Sequence, residues 1–149
     1  MAALTFRASL LGQGALARFV DEGHLAGHLW RTRLLYAGRQ EALISAAGRE
    51  WGGLLGVVAD PGGMHLVATA QGDLARGFDD QAATRAAADA GVRVSALTAC
   101  YSGAAVRHGL LLGYAGTPEA EIGPAVARLR DALVRSRVEW PGGGRGASR

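Results

Sequence analysis

The stretch from Gln13 to Ala47 constrains the fold more than any other part of the sequence. It is rich in Ala, Leu, Arg and Glu and contains no proline, which predicts one long or kinked helix. Gly23 and Gly27 lie within it, and each glycine costs up to about 1 kcal/mol relative to alanine in a helix. We therefore expect these two residues to form a flat stripe where another backbone approaches closely.

Two apolar segments separated by turn residues follow this helix. Leu54 to Ala59 and Met64 to Ala70 flank the turn Asp60-Pro61-Gly62-Gly63. Short apolar runs on either side of a Pro- and Gly-containing turn are typical of a β-hairpin.

Helices and strands alternate in the second half of the chain. An alanine-rich helix is predicted from Asp79 and Asp80 to Ala90, with Gly91 as its left-handed cap. Strands are predicted at Val92 to Leu97 and at Gly109 to Ala115, and Thr117 caps a last helix from Pro118 to about Val138. This order predicts an α/β (α+β) fold, with the long N-terminal helix and further helices packed on a small, largely antiparallel sheet.

Length and composition indicate one domain, because 149 residues with 49% hydrophobic content can build one core. We expect an irregular segment at residues 1–14, the domain at residues 15–140 and a disordered, glycine-rich tail at residues 141–149. No apolar run reaches the roughly 18 residues of a membrane span, and no clean signal peptide is evident. A cytoplasmic location is expected, and the single Cys100 agrees because one thiol builds no disulfide framework.

All 16 basic residues are arginine, and the chain contains no lysine. An arginine cannot replace the lysine amine that forms a Schiff base, so that chemistry is excluded for these residues. The net charge is +3. The last predicted helix carries Arg128, Arg130, Arg135 and Arg137, whose spacing spreads them over several faces. This pattern favours a solvated helix over a nucleic-acid-binding surface.

Three short motifs resemble sites but lack the partners that such sites need. Gly12 to Ala17 fits the G-x-G-x-x-A dinucleotide fingerprint, yet helix is predicted where its second strand should lie. His24 and His28 have the spacing of two metal ligands without an evident third, so histidines at a helix contact are expected. Cys100 and His108 are not brought together by any pattern, and a small buried thiol is expected. We predict no catalytic, cofactor-binding or metal residues.

A longer pattern extends over most of the chain. Ala15 to Leu29, Arg31 to Tyr36, Pro61 to Leu66 and Gly109 to Ala115, followed by Pro118 to Ile122, resemble in order and spacing the C-terminal part of MocR-type regulators of the GntR group. These regulators join a DNA-binding winged helix to a domain shaped like a fold-type I, pyridoxal-phosphate-dependent aminotransferase. The resemblance covers about residues 15–134 and implies an aminotransferase-like small domain with helices against an antiparallel sheet.

The resemblance also implies which parts have no match here. These are the winged helix, the large domain with its phosphate-binding groups and the lysine that holds the cofactor. Pyridoxal phosphate, the cofactor of the family, is therefore not expected to be held stably by this chain alone. Active aminotransferases bind the substrate carboxylate through an arginine at the position of Leu111, which cannot form that pair. Arg107, just upstream, is the candidate substrate-binding residue in its place.

These observations favour a truncated or detached C-terminal domain of a MocR-like transcriptional regulator that is inactive alone. One alternative is the small domain of a class I/II aminotransferase that pairs with a separately encoded large domain. Another is a free-standing interaction module that pairs with an intact paralogue. Leu111 favours the regulator over the enzyme. The expected partner is a second copy or an aminotransferase-like large domain, without sequence-specific DNA binding or membrane contact.

Overall fold

A computed structural model describes residues 10–137. These residues fall in two compact units, one that ends at Leu35 and one that begins at Tyr36. The unit boundary thus lies further along the chain than the boundary expected after residue 14. Residues 10–14, expected to be irregular, are helical. The tail expected at residues 141–149 lies outside the described residues.

The N-terminal region forms two helices, α1 at Leu10–Asp21 and α2 at His24–Glu50. The break falls at Gly23, whose φ of +78° lies in the left-handed region that favours glycine. A Cβ at Gly23 would contact nothing within 4 Å, and one at Gly27 would meet Arg31 of the same helix. The expected glycine stripe is therefore replaced by a turn that Gly23 makes possible.

Four antiparallel strands form one sheet in the order β1-β2-β4-β3. The strands are β1 Leu55–Val57, β2 His65–Ala70, β3 Ser95–Ala96 and β4 Leu110–Gly113. The predicted hairpin is β1-β2, with Gly56 opposite Thr69. β4 inserts between β2 and β3, with Leu112 opposite Leu66 and Leu111 opposite Ser95. The predicted fold class is confirmed.

Two further helices occupy the second half, α3 at Asp80–Asp89 and α4 at Glu119–Arg137. The Asp79 side chain caps α3 by accepting hydrogen bonds from the Gln81 and Ala82 amides at 2.9 Å, and Gly91 follows with a φ of +72°. Short 3₁₀-helical turns lie at Gly72–Ala75 and Leu97–Cys100. The strand predicted at Val92 to Leu97 is thus reduced to two residues.

The core of the second unit lies among the sheet, α3, α4 and the C-terminal part of α2. Trp51 is 1% exposed, and its indole N–H donates to the Val126 carbonyl of α4 over 3.2 Å. Ala83 and Ala87 of α3 are fully buried, and their small side chains let α3 approach its neighbours closely. Leu66, Leu110 and Leu133 likewise have almost no exposure, so sheet and helices share one core.

Candidate functional site

The hairpin turn and the end of β4 are joined by a buried tyrosine. The Tyr114 hydroxyl donates to the Gly63 carbonyl at 3.0 Å and accepts from the Gln40 side chain at 2.9 Å. Gln40 also donates to the Asp60 carbonyl at 2.8 Å, and the Asp60 carboxylate accepts from the Gly62 amide at 3.0 Å. Both segments belong to the pattern that resembles the MocR-type regulators. The second half of α2 thus holds the hairpin turn and the β4 end in one arrangement.

Arg39 extends this network beyond the strand. Its guanidinium donates from Nη1 to the Ala115 carbonyl, directly after β4. Its Nε is buried and has no hydrogen-bond partner among the described residues. The loop from Ala115 to Thr117, which precedes α4, is therefore anchored to α2.

Asp80, at the start of α3, fastens both ends of the segment between β3 and β4. Asp80 is 1% exposed, and its carboxylate accepts hydrogen bonds from the Thr98 hydroxyl at 2.7 Å, the Thr98 amide at 3.0 Å and the Gly109 amide at 3.2 Å. His108 Nδ1 lies 3.9 Å from its Oδ1. Asp80 therefore closes the loop that carries Arg107.

The ionisation of Asp80 reflects these contacts. Burial of the carboxylate raises its pKa, but the hydrogen bonds from Thr98 and Gly109 and the charge of nearby His108 favour the ionised form more strongly. The net result is a pKa below the ordinary value for aspartate. Asp80 is thus an ionised structural anchor.

The two residues singled out for substrate binding differ in setting. Leu111 lies within β4, half buried, opposite Val67 and Ser95. Arg107 is exposed in the loop before β4 and forms no ion pair among residues 10–137. The position where active aminotransferases carry an arginine is therefore occupied by a leucine within β4. The role of Arg107 stays a prediction.

The other sequence candidates are not assembled into sites. Gly12 to Ala17 lies inside α1, so the described part of the fingerprint is helix. His24 contacts Glu22 at 3.3 Å and lies beside the Phe19 ring at a centroid distance of 5.5 Å. Within the described range no three potential metal ligands cluster, and no helix is long and apolar enough to cross a membrane.

Cys100 corrects a prediction, because its thiol is exposed and not buried. It ends a 3₁₀-helical turn at the surface, whereas the prediction rested on the usual preference of free cysteine for the core. No hydrogen bond joins it to His108 in the described chain, and His108 faces Asp80 instead.

A cleft of about 600 Å³ lies in the second unit between the end of β4, the segment Gly91 to Val94 and α4. Arg93 and Arg128 line it together with apolar side chains of the core. No sequence signal indicates this cleft, because it depends on residues 92–94, which are predicted as strand but do not join the sheet. The sequence places Arg128 only on a solvated helix.

Comparison with solved structures defines the fold as that of part of an aminotransferase. The Pyrococcus horikoshii kynurenine aminotransferase matches with a TM-score of 0.74 and 24% identity over 84% of this chain and 30% of that chain. The α-aminoadipate aminotransferase LysN of Thermus thermophilus matches with a TM-score of 0.77 and 21% identity over 91% of this chain and 34% of that chain. The first structure contains PMP, and the second contains a phosphopyridoxyl-leucine.

Sequence comparison leads to transcriptional regulators. The chain is 36% identical over 126 residues to the probable rhizopine catabolism regulatory protein MocR of Rhizobium meliloti, covering 85% of this chain and 25% of that protein. It is 28% identical over 120 residues to the HTH-type regulator YhdI of Bacillus subtilis, covering 80% of this chain and 25% of that protein. No protein-family model matches. The resemblance to MocR-type regulators with an aminotransferase-like domain is confirmed, and the chain spans about a quarter of these relatives.

The residues present do not fit covalent binding of pyridoxal phosphate. The 149 residues include no lysine, so they offer no side-chain amine for the cofactor aldehyde. The part of the aminotransferase fold that this chain matches nevertheless has its own core, which four strands, α3, α4 and the second half of α2 share.

Proposed function

We propose that this chain serves as the small aminotransferase-like domain of a MocR-type transcriptional regulator and does no aminotransferase chemistry alone. The observation that carries the proposal is the 36% identity to the Rhizobium meliloti regulator over 85% of the chain. In our proposal, the part of that relative that matches this chain packs within the aminotransferase-like domain and takes part in its response to a ligand. DNA binding and the cofactor lysine come from other parts of such a protein. A cytoplasmic location belongs to the same proposal.

Leu111 supports a regulator over an enzyme. Transamination needs tight, oriented binding of the substrate carboxylate, which a guanidinium provides through two charge-assisted hydrogen bonds. Leucine provides neither. Arg107 is exposed and close to β4 in sequence, and in our proposal it contacts the carboxylate of an effector.

A chimera tests this function. The matching quarter of the Rhizobium meliloti MocR is replaced by residues 15–140 of this chain, and a transcriptional reporter measures regulation. We expect the chimera to regulate as the parent does, because the replaced part keeps the same fold. A matched chimera with an unrelated domain of equal length should lose regulation. Equal loss in both chimeras would contradict the proposal.

The N-terminal unit favours a function that involves association with another polypeptide. Leu16, Phe19 and Val20 follow the three- and four-residue spacing of one face of α1, and Trp30 and Leu34 lie four residues apart on α2. All five are exposed, with Leu16 at 61% and Trp30 at 63%. Apolar side chains grouped in this way mark interaction surfaces. We propose that a second copy covers this surface in the isolated chain, and a large aminotransferase-like domain in a complete regulator.

Sedimentation of the purified chain tests the association. The wild type should be a dimer or larger at tens of micromolar, on the order of a weak-interface dissociation constant. Phe19→Glu should weaken association more than it lowers the free energy of unfolding, because it adds a charge to the surface without removing core. Val106→Glu is the matched control, since Val106 is 82% exposed in the other unit and should leave association unchanged. A monomeric wild type would refute the exposed-interface argument.

A further inference from the structure

The cleft beside β4 is lined by the backbone N–H and C=O of Gly113, and the direction of these groups follows from the hydrogen-bond pattern of the strand. The Tyr114 amide donates to the Met64 carbonyl at 3.1 Å. Because hydrogen bonds alternate in direction along an antiparallel strand, the N–H and C=O groups of Leu110, Leu112 and Tyr114 face β2. The Leu97 amide donates to the Gly109 carbonyl at 2.8 Å on the opposite side. Gly113, an even number of residues after Gly109, therefore directs its N–H and C=O away from β2, toward the side occupied by β3.

The partner strand does not reach Gly113. β3 ends its pairing with Ser95 opposite Leu111, and in continued register Arg93 would stand opposite Gly113. The residues before β3 are bound to α3 instead of the sheet, because the Val92 amide donates to the Ala87 carbonyl near the end of α3 at 2.8 Å. Gly91, with its left-handed φ, makes this capping turn possible. The cleft is the gap between the diverted segment and β4, and the Gly113 backbone lacks a strand partner there.

The rim of the cleft is predominantly cationic. Arg93 and Arg128 are exposed, line the cleft and form no ion pair with any described residue. His65 also lines it, and Glu121 is the one acidic side chain among the lining residues. Two guanidinium groups against one carboxylate leave a positive excess at the entrance.

The floor of the cleft is apolar. Its side chains come from the core of the second unit and include Trp51, Leu112, Ile122, Val126 and Leu129. A volume of about 600 Å³ lies within the range of small-molecule sites, roughly 300 to 1,000 Å³. Such a floor does not favour a purely hydrophilic ion, and the carboxylate of Glu121 at the rim disfavours multiply charged anions.

We propose that this cleft binds a small organic monocarboxylate with an apolar body. Arg93 and Arg128 pair with the carboxylate, since a guanidinium matches its two oxygens and makes charge-assisted hydrogen bonds. The apolar body lies against the core residues of the floor and next to Gly113, whose N–H and C=O bind a polar substituent where the ligand carries one. The site consists of residues 43–129 alone, so binding does not depend on the proposed regulator function.

Nuclear magnetic resonance of the ¹⁵N-labelled 149-residue chain tests the proposal with phenylacetate as the probe. The Gly113 amide resonance should shift and saturate with a dissociation constant on the order of 1 mM, as fits a fragment-sized ligand. Phenylacetamide lacks the charge and should bind about tenfold more weakly, and acetate, which lacks the apolar body, should bind more weakly still. An unshifted Gly113 amide at about 20 mM phenylacetate would overturn the proposal. Equal affinity for phenylacetate and phenylacetamide would do the same.

Paired variants separate the site from a general charge effect. The double variant Arg93→Gln, Arg128→Gln should bind phenylacetate at least about tenfold more weakly, because both guanidinium groups that pair with the ligand carboxylate are removed. Arg85→Gln is the control, since Arg85 is exposed on α3 and does not line the cleft. Spectra of all variants report whether the fold is kept. Unchanged binding by the double variant, or an equal loss in the Arg85→Gln control, would assign the shift to nonspecific charge attraction and overturn the site.

Discussion

Replacing Asp80 with alanine should destabilise the second unit strongly. The buried carboxylate accepts three hydrogen bonds, from the Thr98 hydroxyl and from the amides of Thr98 and Gly109. Removing it leaves two backbone N–H groups without their partner, the Gly109 amide in a buried setting. Each hydrogen bond to a charged group contributes about 1.5 to 3 kcal/mol, and the relieved desolvation of the carboxylate offsets part of the sum. We expect a loss of about 3 kcal/mol in the free energy of unfolding.

Urea denaturation followed by far-ultraviolet circular dichroism measures this loss. Asp89→Ala is the matched control, because Asp89 is exposed near the end of the same helix and should change stability by less than about 0.5 kcal/mol. Asp80→Asn should fall between the two, since an amide offers one acceptor oxygen where the carboxylate offers two. A loss below about 0.5 kcal/mol for Asp80→Ala would refute the claim that this residue anchors the loop.

The same residue predicts a pH dependence. The pKa of Asp80 is lower in the folded chain than its ordinary value of about 3.9, so the unfolded state binds the proton more tightly. Its contribution to stability is therefore complete at neutral pH and is lost as pH falls below about 4 toward the folded-state pKa. Asp80→Ala should consequently reduce the acid sensitivity of unfolding. Identical acid dependence in wild type and variant would contradict this assignment.

Three further predictions concern packing and nucleic acid. Gly109→Ala should cost about 1 to 3 kcal/mol, because its Cβ would lie 2.7 Å from a β2 carbonyl oxygen, whereas the open position of Gly103 should accept alanine without loss in the same urea assay. Trp51→Phe should cost about 1 to 2 kcal/mol by removing the hydrogen bond to α4, and Val106→Ala, at an exposed position outside the association surface, should cost less than about 0.5 kcal/mol. DNA binding measured by gel retardation should be weak, independent of sequence and abolished by salt, so operator-specific retardation at physiological ionic strength would show that the α4 arginines form a binding surface.

Local sequence signals predicted most of the elements. The hairpin was evident from Asp60 to Gly63, and α3 was evident from Asp79 and Gly91, because turn and cap residues act within a few positions of themselves. Gly23 shows the limit of such signals. Its neighbours favour helix, and only the backbone conformation shows that it separates α1 from α2.

The sites depend on contacts that are remote in sequence. The sequence places Asp80 at the start of a helix, but its hydrogen bonds to Thr98 and Gly109 join segments that no periodicity connects. The cleft arises because the Val92 amide bonds to α3 and the chain joins the sheet only at Ser95, after Arg93. The segment from Val92 to Leu97 favours a strand, and nothing in its sequence indicates that the end of α3 competes with the sheet for the Val92 amide.

Borohydride trapping of pyridoxal phosphate tests the central claim most directly. The purified chain is incubated with the cofactor, reduced with borohydride and digested, and peptide mass spectrometry separates an adduct on the N-terminal amine from an adduct on a side chain. The account predicts no side-chain adduct on this chain, because it has no lysine, and no visible chromophore after dialysis. A tight, stoichiometric chromophore that survives dialysis of this chain alone would contradict the claim that these residues form only one part of the cofactor site.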